Sequence, residues 1–168
     1  SKQPIIISGG GVLYSEAEKE LSDFAKKHNI PVTPTVMGIG CMDCNDPYNI
    51  GPIGCLGVGS ANSLSKDTDL ALAIGTKLGD FTTGSWSNFH NENFKLVSIN
   101  AARFDVTKHR ATPVVSDAKL GLLKLSKFLD DWKAPDVWFQ RAYNESKEWD
   151  KYVEKQSAPT NQELPSYA

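Results

Sequence analysis

The sequence predicts an α/β fold: a three-layer α/β/α arrangement around a Rossmann-like parallel sheet of about six strands. The short run Pro4–Ser8 is almost continuously apolar and rich in β-branched residues, and Lys95–Ile99 is mostly apolar, which is typical of strands buried on both faces. Segments with helical periodicity lie between these runs, and such alternation favours a parallel sheet with right-handed crossovers. The length of 168 residues suits a core of this kind.

Local signals place the individual elements. Three glycines turn the chain after the first strand, and Ser15 and Glu18 have the spacing of a capping box, which predicts a helix starting near Glu16. Asp117 is predicted to cap a later helix. The predicted strands are 4–8, 30–35, 69–74, 95–99 and 114–115; the predicted helices are 16–29, 60–65, the leucine-rich segment after 117, and 136–154; and 37–59 is predicted to be a long loop.

The carboxyl-terminal part differs in composition from the rest. We therefore divide the chain into a central α/β domain at 1–134 and a helical tail with a linker at 135–168. The tail helix carries Trp138 and Trp149 on one stripe, which we expect to be exposed and to meet a domain outside this segment. The polar, proline-bearing residues after Gln156 are typical of a linker and predict that a carboxyl-terminal domain follows.

Composition excludes several classes of protein. Hydrophobic residues make up 40% and charged residues 23%, as in ordinary globular proteins, and the net charge of -2 gives no electrostatic basis for nucleic acid binding. No run is long and apolar enough to predict a membrane span or a signal peptide. The sequence therefore predicts a cytoplasmic protein with neither a nucleic acid nor a membrane as partner.

The three cysteines lie close together, at Cys41, Cys44 and Cys55. The first two have redox or zinc-half-site spacing, but a structural zinc site needs four ligands, and no second pair follows at similar spacing. We predict three free thiols and no metal site in this chain.

One glycine motif has the position of a dinucleotide-binding turn. Gly9, Gly10 and Gly11 lie between a strand and a helix, where nucleotide-binding folds place G-x-G-x-x-G, but Tyr14 occupies the third fingerprint position. The alternative is a tight turn that needs glycine for steric reasons alone. Gly75, Lys77 and Asp80 follow another strand at the same predicted sheet edge, so these six residues form a candidate cofactor-binding edge.

Three segments carry a resemblance to a known family. They are Ile5-Ile-Ile-Ser-Gly-Gly-Gly-Val-Leu-Tyr-Ser, Gly51-Pro-Ile-Gly-Cys-Leu-Gly with Ser60-Ala-Asn, and Ile74-Gly-Thr-Lys-Leu-Gly-Asp-Phe-Thr-Thr-Gly-Ser-Trp. The first two resemble the central domain of acetolactate-synthase-like thiamine-diphosphate enzymes. The third, with Asn100-Ala-Ala-Arg-Phe-Asp, is similar to the trihydroxycyclohexanedione hydrolases of myo-inositol catabolism.

This resemblance implies a larger parent enzyme with three domains, which uses thiamine diphosphate and Mg²⁺ to cleave a carbon–carbon bond in a cyclic dione. Its activating glutamate and its metal-binding Gly-Asp-Gly belong to the other two domains. Gly79-Asp80-Phe81 does not match that metal motif, so no catalytic residue carries over to this chain. In flavin-binding relatives the segment that matches Gly75 to Gly84 carries basic and acidic residues that contact FAD, and Lys77 and Asp80 fit that pattern in part.

The sequence therefore predicts a non-catalytic central domain of a thiamine-diphosphate-dependent hydrolase. Its expected partners are an amino-terminal and a carboxyl-terminal domain of the same polypeptide, within a homo-oligomer. The chain alone is expected to be inactive and to bind no cofactor. The alternative is an FAD- or nucleotide-binding module of an acetolactate-synthase-like enzyme, which the candidate edge would serve.

Overall fold

The fold is described from a computed structural model, which describes residues 1–159. Part of the predicted linker lies outside these residues. The strands are β1 (Pro4–Ser8), β2 (Val32–Pro34), β3 (Leu70–Ile74), β4 (Lys95–Asn100) and β5 (Thr112–Val115). The helices are α1 (Gly10–Tyr14), α2 (Glu18–His28), α3 (Gly59–Asp67), α4 (Asp80–Thr83), α5 (Arg103–Val106), α6 (Ala118–Leu129) and α7 (Asp136–Gln156), and 3-10 turns lie at Val36–Gly38 and Lys108–Arg110.

The five strands form one parallel sheet in the order β2-β1-β3-β4-β5. A single parallel bridge joins Val32 to Asn49 beyond β2, and the Ile50 amide donates to the Val32 carbonyl at 3.0 Å. This one-residue bridge stands where a sixth strand would lie, so the predicted sheet of about six strands is confirmed as five full strands and a rudimentary edge.

Helices cover both faces of the sheet, as the sequence predicts. Ile6 faces a core shared with α2 and α6, whereas Ile5 and Ile7 face a second core shared with α3 and α7. Alternate residues of a strand point to opposite faces, so one continuously apolar strand supplies both cores. The three-layer α/β/α architecture is therefore confirmed.

Pro113 lies on the outer side of the edge strand β5. The Ser116 amide donates to the Asn100 carbonyl of β4 at 3.2 Å. Backbone N–H groups alternate in direction along a strand, so the backbone nitrogen of Pro113 points away from β4. Proline has no N–H, which suits an outward-facing edge position and weakens pairing with a further strand.

The predicted capping box is wrong. Ser15 ends α1, where its amide donates to the Gly11 carbonyl at 3.1 Å, and Glu16 has a positive φ of 48° that separates α1 from α2. The cap of α2 is Ala17, which is fully buried and makes no side-chain cap hydrogen bond. The end of α2 is as predicted, with Asn29 in the left-handed conformation.

The tail helix α7 packs against the domain through buried residues in its first half, and in its second half the partly buried Trp149 ring lies against Gly59 of α3. Trp138 is 3% exposed, its indole Nε1 donates to the Pro4 carbonyl of β1 at 2.8 Å, and Ala142 is fully buried. Arg141 adds an ion pair to Asp67 of α3 at 2.7 Å. The predicted helix is confirmed, but the expected exposure of Trp138 is wrong. The boundary at 134/135 stays a prediction.

None of the helices within residues 1–159 combines the length and apolarity that crossing a membrane requires.

Candidate functional site

A cleft of about 580 Å³ opens at the carboxyl edge of the sheet. The chain passes from β1 to β2 on one side and then returns to β3 on the other, so the strand order reverses between β1 and β3. In open α/β sheets this reversal separates the two following loops and creates the crevice where ligands bind. The cleft lies at this position, with Gly10, Gly11 and Gly75 in its wall.

The glycines of the candidate edge allow two backbone segments to touch. A Cβ atom built on Gly11 would lie 2.6 Å from the Gly75 Cα, and one built on Gly75 would lie 2.6 Å from the Gly11 Cα. Gly75 also has a φ of 60°, which disfavours any side chain. Gly9 is buried against the Gly75 carbonyl in the same way. Backbone packing between the β1 and β3 loops therefore accounts for these glycines without a ligand.

The same packing uses amides that a diphosphate would need. The Gly11 amide donates to the Gly75 carbonyl at 2.9 Å, the Gly9 amide to Ile74 at 2.8 Å, and the Val12 amide to Gly9 at 3.1 Å. Helix α1 has only five residues, so it provides little dipole at its start. The turn has the position of a phosphate-binding loop, but most of its donors are already engaged.

The polar side chains at this edge divide into two groups. Asn100 is engaged structurally: its Nδ2 donates to the Thr76 carbonyl at 3.1 Å and its Oδ1 accepts from the Ala102 amide at 2.9 Å. Lys77 and Asp80 both line the cleft, are exposed, and take part in none of the ion pairs found within residues 1–159. They are the charged groups available to a ligand.

The structure adds residues to the cleft that sequence reasoning missed. Thr35, Val36 and Met37 line it from the loop after β2, and Asp105 lines it from α5. The detectable signal was their position at the end of predicted strands or within a few residues after them, but the strand order was needed to bring them together. Thr83, at the end of α4, is buried, and its hydroxyl donates to the Gly79 carbonyl at 3.4 Å.

No metal centre is built from the described part of the chain, where no three His, Cys, Asp or Glu side chains are grouped to hold an ion. Asp105, the second carboxylate of the cleft, pairs with Lys108 at 2.7 Å. The cleft therefore offers a single unpaired carboxylate, Asp80, to a Mg²⁺-diphosphate group.

The three cysteines are free, and they differ in environment. Cys41 is buried, and its Sγ donates to the Ser8 hydroxyl at 3.0 Å, whereas Cys44 and Cys55 are exposed. Burial raises the pKa of the Cys41 thiol, which keeps it protonated at neutral pH. This environment opposes redox chemistry at the Cys41-Met-Asp-Cys44 motif, since the thiolate is the reactive form.

We expect Cys44 and Cys55 to react with iodoacetamide in the native protein and Cys41 to react only after unfolding. The reason is the burial and raised pKa of Cys41. Peptide mass spectrometry after brief labelling, with and without denaturant, measures this order. Elemental analysis provides the control, and about one zinc per chain with all three thiols protected would contradict both parts of the expectation.

Together the fold and the cleft define a Rossmann-like α/β domain that keeps a nucleotide-type crevice at its topological switch point. Comparison with known families is more specific. Residues 1–125 match the family model described as "Thiamine pyrophosphate enzyme, central domain". The chain belongs to this family.

Two of its curated relatives carry the printed name "3D-(3,5/4)-trihydroxycyclohexane-1,2-dione hydrolase". The protein of Clostridium perfringens (strain 13 / Type A) is 38% identical over 148 residues, which cover 88% of this chain and 23% of the relative. The protein of Clostridium botulinum (strain Alaska E43 / Type E3) is 45% identical over 129 residues, which cover 77% of this chain and 20% of the relative. The chain thus spans about a fifth of the length of these relatives.

Proposed function

We propose that this chain is the non-catalytic central domain of a cytoplasmic, homo-oligomeric, thiamine-diphosphate-dependent hydrolase. The parent enzyme would use Mg²⁺ and cleave a carbon–carbon bond to open a cyclic dione in myo-inositol catabolism. The observation that carries the proposal is the alignment of 88% of the chain with one fifth to one quarter of a dione hydrolase. The mismatch between Gly79-Asp80-Phe81 and the Gly-Asp-Gly metal motif of the family supports the non-catalytic role.

The amino-terminal and carboxyl-terminal domains of the same polypeptide are the proposed partners. They would supply the activating carboxylate and the metal ligands, while this domain would hold them at a fixed separation. In that arrangement the chain contributes geometry to catalysis through its two well-packed cores, because a rigid support preserves the alignment of groups that act together.

We expect the 168-residue chain to show no binding of thiamine diphosphate and Mg²⁺ by calorimetry and no dione hydrolysis. The longer polypeptide that contains it should bind the cofactor stoichiometrically and open the dione ring. The pair of measurements separates the two halves of the proposal. Stoichiometric cofactor binding by the short chain would contradict its non-catalytic role, and an inactive longer polypeptide that binds no cofactor would contradict the enzyme class.

The second candidate function is nucleotide or FAD binding, which the cleft at the switch point favours by its location. We propose that Gly9, Gly10, Gly11, Gly75, Lys77 and Asp80 form a vestigial edge that keeps this shape without tight binding. The engaged amides of Gly9 and Gly11 support this, as does the single lysine in the segment from Gly75 to Gly84. A hydrolytic reaction also involves no net redox step for a flavin to perform.

We expect titration with FAD, NAD and ADP to give dissociation constants weaker than about 1 μM, a binding free energy of about -8 kcal/mol. Fluorescence and calorimetry measure this directly. A tighter value for any of the three that is lost in Lys77→Ala and kept in the control Lys66→Ala, on α3, would establish a functional nucleotide site instead.

A further inference from the structure

A second pocket of about 580 Å³ lies between helix α7 and the long loop that follows β2. We call it the α7 pocket. The loop contributes residues between 39 and 52 to its wall, and α7 contributes Tyr143, Ser146, Lys147, Trp149 and Asp150. The α7 pocket shares no lining residue with the cleft at the carboxyl edge of the sheet. Its volume lies within the usual range of small-molecule sites.

Both walls of the α7 pocket are held in place by contacts within the chain. On the loop side, the Asn49 side chain accepts from the Gly51 amide at 3.1 Å and donates to the Asp43 carbonyl at 3.2 Å. On the helix side, the Trp149 ring packs so closely on Gly59 that a Cβ built there would lie 2.5 Å from the ring. A pocket that is ordered before binding loses little conformational entropy when a ligand enters.

Three half-buried side chains of the helix wall have polar atoms without a protein partner. Within residues 1–159, the Tyr143 hydroxyl, the Ser146 hydroxyl and the Trp149 indole nitrogen make no hydrogen bond, unlike the polar side chains of α7 that form ion pairs. A hydroxyl can both donate and accept, and an indole N–H can donate. These groups therefore offer hydrogen bonds to a ligand along one side of the pocket.

The charges of the wall disfavour an anionic ligand. Lys147 pairs with Asp150 at 3.0 Å. Asp46 pairs at 2.8 Å with Lys26, which lies outside the wall. Asp43 is the remaining charged residue of the wall, so the pocket has a net negative charge that repels phosphates and carboxylates.

An organic cation is disfavoured for a different reason. The Lys147 ammonium lies 5.7 Å from the centre of the Tyr143 ring. The face of this ring therefore already interacts with a cation, which would repel a second one. The ligand that matches the wall is neutral, with an apolar surface for the two aromatic rings and hydroxyl groups for the free polar atoms.

We propose that the α7 pocket binds a neutral polyhydroxylated ring of the size of a cyclitol or a monosaccharide. The C–H face of such a ring packs against Tyr143 and Trp149, whose π-electrons attract its weakly positive hydrogens. Its hydroxyls donate to the Asp43 carboxylate, which only accepts, and exchange hydrogen bonds with Ser146. None of these residues has a role in the proposed function, so failure of either proposal leaves the other intact.

Titration of the 168-residue chain with myo-inositol, and separately with glucose, tests this proposal by two-dimensional NMR. We expect saturable shifts at residues 39–52 and 143–150, with a dissociation constant of about 1 mM or tighter for at least one probe. The probe that binds more tightly identifies the ligand as a cyclitol or a sugar. Absence of saturation with both probes would overturn the proposal, and so would shifts confined to the cleft at the carboxyl edge.

Cyclohexanol and choline are the control ligands. Cyclohexanol keeps the six-membered ring with a single hydroxyl, and choline carries the positive charge that the polyols lack. We expect neither to bind as tightly as the better polyol. Cyclohexanol binding of equal strength would identify an apolar site, and choline binding of equal strength would identify a cation site; either result would overturn the proposal.

A pair of matched variants tests the role of the carboxylate. Asp43→Asn removes the charge but keeps an oxygen for the Asn45 amide, which Asp43 accepts at 2.9 Å, so the loop should stay folded. We expect polyol binding to weaken at least about 5-fold, since hydrogen bonds to charged groups are the stronger ones. Asp131→Asn changes an exposed carboxylate outside the wall and should leave binding unchanged. Equal affinities of the two variants would overturn the proposal.

Discussion

Replacing Gly75 with alanine is expected to reduce the free energy of unfolding by about 3–5 kcal/mol. Two effects add: alanine is disfavoured in the left-handed conformation, and its Cβ clashes with neighbouring backbone. The new Cβ would lie 2.6 Å from the Gly11 Cα. The nearest atoms all belong to the backbone, so no flexible side chain can move to relieve the clash. Urea denaturation measures the loss. A protein of this size should also unfold at a temperature about 6–20 °C lower.

Gly79→Ala is the matched control in the same loop. A Cβ built on Gly79 meets nothing within 4 Å, and its φ of -68° is ordinary for alanine. We expect this variant to change stability by no more than about 0.5 kcal/mol. Equal stability of the Gly75→Ala and Gly79→Ala proteins would show that the β1 and β3 loops separate readily, and would reopen the cleft as a binding site with accessible amides.

The sequence could predict the layers of this fold because they depend on patterns within single elements. The apolar run Pro4–Ser8 predicts a strand that is buried on both faces. Asp117 predicts the start of helix α6, and its carboxylate accepts from the Leu120 amide at 3.0 Å. The capping box failed for a different reason. Its spacing is local, whereas the start of α2 is set by burial of Ala17 in the core.

Part of the candidate site could also be predicted from local patterns. The position of Gly9–Gly11 and Gly75 after strands placed them at one edge, and the structure brings these two loops into contact. Their role could not follow from spacing, because a glycine that admits a ligand and a glycine that admits a neighbouring backbone look alike in sequence. The contribution of Val36 and Met37 depends on the order of strands in the sheet, which no local pattern encodes.

The sequence predicted an exposed tryptophan stripe on α7, whereas the structure buries Trp138, and this residue gives the second large expected effect. Trp138→Ala should reduce the free energy of unfolding by about 3–5 kcal/mol, as for other buried aromatic truncations. The indole is 3% exposed, and its loss leaves both a cavity in the second core and the Pro4 carbonyl without its donor. Chemical denaturation followed by circular dichroism measures the change.

Two controls separate packing from helix formation. Val137→Ala alters the neighbouring residue of α7, which is 77% exposed, and should change stability by no more than about 0.5 kcal/mol. Trp138→Phe keeps most of the apolar volume but removes the donor to Pro4, so its loss should be intermediate, with about 1–3 kcal/mol from the unsatisfied carbonyl.

The shape of the Trp138→Ala transition also tests the boundary predicted at 134/135. If α7 belongs to the cooperative unit of the domain, the variant should unfold in one transition, at lower denaturant, with an unchanged dependence on denaturant concentration. If α7 is a separate tail, the main transition should stay where it is in the unaltered protein. The hydrogen bond from Trp138 joins α7 to strand β1, and the ion pair from Arg141 to Asp67 joins α7 to helix α3. We therefore expect the single, shifted transition, which would move the boundary beyond the first half of α7.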